Sequence, residues 1–114
     1  MAYMLAVKGY SKTTGERLLY IEPSWWRQVE IKQDPRLKEV VEDGILDYEA
    51  KLSVDEMREM HEYFKPSATT GFYATENWQK SIQPKLTALD SALTERADEF
   101  SHFIVGLYDW SSGL

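Results

Sequence analysis

The chain has 114 residues and a formal net charge of −6, from 13 Lys and Arg against 19 Asp and Glu. That length serves one domain with a buried core, and the acidic balance argues against a phosphate backbone as the main ligand. With 43% hydrophobic residues, including four Trp, seven Tyr and four Phe, the chain is too rich in large apolar groups to stay disordered, and the lack of cysteine excludes disulfides, a thiol nucleophile and thiolate metal sites.

Residues 2–10 carry Tyr3, Leu5 and Val7 on one face and Met4 and Ala6 on the other, the mark of a central strand. The polar stretch Ser11 to Gly15 and the renewed strand character of Arg17 to Glu22 predict a hairpin, ended by Pro23. Trp25 to Ile31 fits a short helix capped by Ser24, although Val29 and Ile31 also fit a strand. Asp34–Pro35 reads as a helix start and Gly44 as its stop, with Leu37, Val40 and Val41 as the buried stripe. In Ile45 to Leu52, Tyr48, Ala50 and Leu52 alternate with Asp47, Glu49 and Lys51, as in a strand wet on one face.

Ser53 to Glu56 has the spacing of a capping box and opens a helix that runs to about Phe64. After a loop from Lys65 to Ala74, Thr75 caps the longest predicted helix, reaching about Phe100, with Trp78, Ile82, Leu86, Leu89 and Leu93 in its stripe and Pro84 as a bend. His102 to Trp110 is apolar on both faces and reads as a second central strand, neighbour to the first, with Tyr108 and Trp110 on one core face. Residues 1–114 are therefore expected to form a single α+β domain: a mostly antiparallel sheet of about four strands, in the chain order β-β-α-β-α-α-β, with helices packed on it.

No dinucleotide, P-loop or His-based metal motif is present, so neither a cofactor nor a metal is expected. His61, flanked by Glu59 and Glu62, has the makings of a general base, but a solvated helix face is the preferred account of it. His102 follows the end of the long predicted helix, where its charge suits the dipole. The adjacent Trp25 and Trp26 point to different sides in helix or strand and do not easily enter one core together, so one ring is expected in the core while the other covers a loop or stands exposed beside Arg27.

Charge is unevenly placed. Residues 34–62 hold ten acidic and four basic groups, so the whole net charge of −6 sits there. Glu42 and Asp43 crowd the end of a predicted helix, where negative charge is unfavourable, and Asp47 and Glu49 extend the acid along a strand. An acidic ridge of Glu42, Asp43, Asp47 and Glu49, extended by Glu59 and Glu62 and joined by Trp25 and Trp26, would suit a basic protein partner. In general character such a chain resembles bacterial toxin-immunity proteins and other nuclease inhibitors. That resemblance implies a cytoplasmic, non-enzymatic protein that occludes the active site of a basic toxin or nuclease. The alternatives are a small enzyme or ligand-binding domain using His61 and nearby carboxylates, or with a pocket lined by Trp25, Trp26, Tyr48 and Tyr73, and a homodimeric interaction subunit. No run of about 18 apolar residues and no secretory leader is read from the sequence.

Overall fold

Period-two alternation and β-branched or aromatic residues produce five strands among residues 3–109, the part of the chain that the computed structural model describes. In chain order the elements are β1 (Tyr3–Ser11), β2 (Arg17–Ile21), α1 (Gln28–Lys32), β3 (Lys38–Glu42), β4 (Ile45–Leu52), α2 (Val54–Phe64), α3 (Glu76–Leu93) and β5 (Phe100–Asp109). Two 3₁₀ turns, Lys65–Thr69 and Gly71–Ala74, join α2 to α3, and a third, Ala97–Glu99, leads into β5. The sheet order is β2-β1-β5-β4-β3, antiparallel throughout. The expected α+β architecture is therefore present with one strand more than anticipated, and the first and last strands are neighbours along their length, from Tyr3 opposite Asp109 to Tyr10 opposite His102.

Register decides which side chains form the core. Leu5 lies opposite Leu107, Val7 opposite Val105, Ala50 opposite Val105 and Leu52 opposite Phe103, and all seven are buried on one face of the sheet. Against that face pack Met57, Met60 and Phe64 of α2 and Ile82, Leu86, Leu89 and Leu93 of α3. The opposite face carries the half-buried Met4, Lys8, Tyr10, His102, Ile104 and Tyr108. Tyr108 thus faces away from the helices, contrary to its expected place in the core; Trp110 lies outside the described residues.

The helix expected from Asp34 to Gly44 is instead a turn followed by β3, which pairs with β4 through Lys38 opposite Glu49 and Glu42 opposite Ile45. The connection is Asp43–Gly44, both at positive φ, 53° and 77°. A two-residue turn of this kind needs left-handed backbone at both positions, and its hand matches the twist of the flanking strands. Gly44 is therefore a hairpin residue, and the expected stripe fails: Val41 is 67% exposed. Asp34 caps no helix; its carboxylate takes the Arg36 backbone amide at 2.9 Å and the Arg36 guanidinium at 2.7 and 3.0 Å.

The helix at Trp25 to Ile31 shortens to α1, with both indoles in the turn before it. Free of helix or strand periodicity, the turn sends both rings inward: Trp25 is 1% and Trp26 4% exposed, and Trp26 stacks on Phe64 at 5.0 Å. Neither Trp is available to touch a partner. The capping box forms as read, with Ser53 Oγ accepting from Glu56 N at 3.1 Å and the Glu56 carboxylate accepting from Ser53 N at 3.0 Å. The longest helix stops at Leu93, short of Phe100, and no helix among the described residues is long and apolar enough to cross a membrane.

Candidate functional site

Helix α2 begins at a well-defined cap and buries Met57, Met60, His61 and Phe64. His61 lies on the flank of that buried stripe that meets α3, where its side chain is 1% exposed and its Nε2 stands 2.6 Å from Asp90 Oδ1. The same oxygen takes the ammonium of Lys65, the C-cap residue just after α2, at 3.1 Å. Glu62 follows His61 in the sequence, and one donor atom each from His61, Glu62 and Asp90 lie within 4.8 Å of one another. The three differ in exposure: His61 is buried, Asp90 is half-buried and Glu62 is open to solvent.

The expectation of a solvated His61 is thereby corrected, and so is the carboxylate assigned to it. Its partner is Asp90, 29 residues away in the chain, with Glu62 alongside. Glu59 projects to another side of α2, into a hollow of about 340 Å³ shared with Glu30, Asp34 and Tyr63.

The electrostatics are those of a carboxylate held ready. Partial burial disfavours the charged form of Asp90, but hydrogen bonds from His61 and Lys65 outweigh it and keep the carboxyl below its ordinary value. An ionised Asp90 accepts, so Nε2 of a neutral His61 carries the proton and Nδ1 the lone pair. Nδ1 is buried and has no hydrogen-bond partner. Glu62, Lys65 and Asp90 open onto a cleft of about 370 Å³, also lined by Pro66, Thr69, Gln83, Leu86 and Thr87.

The proposed acidic ridge is dispersed. Asp47 and Glu49 alternate with the buried Ala50 and Leu52, and so face away from the helices; α2, with Glu59 and Glu62, lies on the other side of the sheet. Several of these acids also have structural partners. Asp47 accepts from the Asp109 amide at 2.8 Å, and Glu49 accepts the Tyr108 hydroxyl at 2.5 Å; burial first, and then this hydrogen bond, hold the phenol far above its ordinary pKa. Asp43 occupies the hairpin turn with Glu42 beside it, and no helix end is crowded by either. Asp55 pairs with Arg58, while Asp34 and Glu56 share Arg36.

An aromatic pocket of Trp25, Trp26, Tyr48 and Tyr73 does not assemble either: Tyr48 meets Tyr3 edge-on at 5.8 Å, and Tyr73 packs against Phe72 and Trp78. Asp90 and Lys65 are the residues that sequence reading missed. The available signal was a charge at position 90 set into the apolar spacing of Leu86, Leu89 and Leu93.

The clustering of His61, Glu62 and Asp90 overturns the inhibitor reading, which required a chain without a chemical centre, and with it the assignment as a non-enzyme. In comparisons with known proteins, no family model matches the chain, and no curated protein or solved structure matches it significantly.

Proposed function

We propose that this chain is a small ligand-binding or catalytic domain whose working centre is His61, Glu62 and Asp90, and that its direct ligand is a divalent transition metal. The convergence of one imidazole and two carboxylates within 4.8 Å, at the wall of an open cleft, carries the reading. Nitrogen and oxygen donors of this kind suit zinc, manganese or ferrous iron, and three protein ligands leave coordination positions for water or substrate. A metal so held supplies Lewis-acid chemistry or an activated water. The chain's own contribution is to fix the ligands: α2 places His61 and Glu62, and α3 places Asp90.

His61 sets a limit on affinity. Coordination through Nε2 shifts the ring proton to Nδ1, where no acceptor is present. Metal-ligating histidines ordinarily donate that second N–H, and a buried orphan donor costs about 1–3 kcal/mol, roughly a fivefold to 150-fold loss. Binding is therefore expected to be moderate. Calorimetric titration with Zn²⁺ or Mn²⁺ tests the reading. One saturable site is expected in the wild type, weakened at least tenfold in Glu62→Gln and in Asp90→Asn, with circular dichroism showing both variants folded. No binding in the wild type, or equal binding in all three proteins, overturns it.

A further inference from the structure

We infer that Lys65 is a resident counter-cation which a metal displaces from Asp90, and that its release makes the cleft a receptor for a small anion such as a phosphate or carboxylate. The inference rests on the metal reading above and adds the substrate class.

Two hydrogen-bond donors converge on one oxygen: the His61 ring at 2.6 Å and the Lys65 ammonium at 3.1 Å both meet Asp90 Oδ1. The two differ in mobility. His61 is sealed at 1% exposure, whereas the Lys65 side chain is 41% exposed on a flexible stem at the end of α2. A divalent ion that takes Asp90 therefore competes with the ammonium, and the imidazole stays in place. Lys65 has no other acidic partner among the described residues, so on leaving Asp90 it keeps its charge and remains at the cleft wall.

Charge counting then reverses the sign of the cleft. Without metal, Glu62 and Asp90 against Lys65 give one net negative charge, which repels an anion. With a dication bound, the same groups carry one net positive charge at the wall of the open cleft. The rest of the lining offers an oxygen ligand the Thr87 hydroxyl and the second N–H of the Gln83 amide, whose first goes to Gln79 Oε1 at 2.7 Å; the Thr69 hydroxyl turns to the Pro66 carbonyl at 3.5 Å, and Pro66 and Leu86 provide an apolar wall. A volume of about 370 Å³ is at the small end for ligand pockets, so the anion belongs to a small molecule.

The test uses Mn²⁺ and inorganic phosphate with the whole chain and Lys65→Met, a substitution that keeps length and removes charge. Calorimetry should show Mn²⁺ binding severalfold tighter to Lys65→Met than to the wild type, because the competitor is gone. Phosphate should bind the Mn²⁺-loaded wild type, fail to bind the metal-free chain, and bind Mn²⁺-loaded Lys65→Met at least tenfold more weakly. Unchanged Mn²⁺ affinity in Lys65→Met overturns the exchange. Phosphate binding that is independent of Mn²⁺, or unaffected by Lys65→Met, overturns the anion receptor. Absence of Mn²⁺ binding to both proteins overturns the underlying metal reading as well. Circular dichroism excludes unfolding of the variant as the cause.

Discussion

Buried between two helices, His61 has one nitrogen engaged by Asp90 and the other with no partner, a poor arrangement if its job were only to hold the core together. Replacing such a group with an apolar one of similar volume removes the unsatisfied atom, and Asp90 keeps Lys65 and solvent as partners. His61→Leu is therefore expected to change unfolding free energy by less than about 1 kcal/mol in urea titration while abolishing metal binding. A loss of several kcal/mol would mark the residue as structural. Ser53 behaves in the opposite way. Its hydroxyl satisfies an otherwise orphaned helix amide, so Ser53→Ala should cost about 1 kcal/mol, read from the same measurement, and leave ligand binding untouched.

At the scale of elements, the β3–β4 hairpin depends on two left-handed positions in a row, Asp43 at φ 53° and Gly44 at 77°. A side chain at the second position adds strain of about 1–2 kcal/mol, so Gly44→Val should lower the midpoint of thermal unfolding, and Asp43→Gly should raise it slightly. Close packing imposes a different demand on β1. A Cβ at Gly9 would stand 2.6 Å from the Phe100 ring and 2.8 Å from the Phe103 ring, and these two rings stack on each other in the core at 4.9 Å. Neither ring has room to retreat, and Gly9→Ala should destabilise by about 1–3 kcal/mol in chemical denaturation through overpacking.

For the whole molecule, the acidic composition becomes a pH dependence through particular pairs. Asp34 lies below the usual carboxylate range chiefly because Arg36 hydrogen-bonds it, against an opposing effect of burial. Glu56 is lowered first by the Ser53 backbone amide and then by Arg36. Both bind protons more weakly folded than unfolded, so the unfolded chain takes up more protons on acidification. Their stabilisation is present in full above the ordinary carboxylate values near pH 4 and is lost as pH falls through the lowered folded values. Midpoints of urea unfolding should begin to fall below about pH 6.5, where burial and Lys51 hold the His102 imidazole below its ordinary value and the unfolded chain takes up the proton first, and should fall more steeply below about pH 5, an acid limb that Asp34→Asn should flatten. An unchanged limb would locate the acid sensitivity elsewhere.

Elements whose signals are local were legible in the sequence. β1, β2, β4 and α2 follow from an apolar run, a polar turn between strand-like stretches, alternation and a capping box in turn, because each acts over a few residues and needs no distant partner. The 34–44 segment was read wrongly since Asp, Pro and Gly punctuate helices and hairpins alike, and only the pairing of Lys38–Glu42 with β4 settles which. The expectation that only one Trp enters the core failed for a similar reason: periodicity assigns faces within helix or strand and is silent about a turn that folds two rings inward. The site was the least legible part. His61 and Glu62 are neighbours in the chain, but Asp90 joins them only when α3 packs against α2, across 29 residues that no short-range pattern spans. Residue types alone determined an acidic α+β chain with a sheet and capped helices. Tertiary structure decided which acids serve turns and ion pairs and which one meets a buried imidazole, because that depends on helix packing.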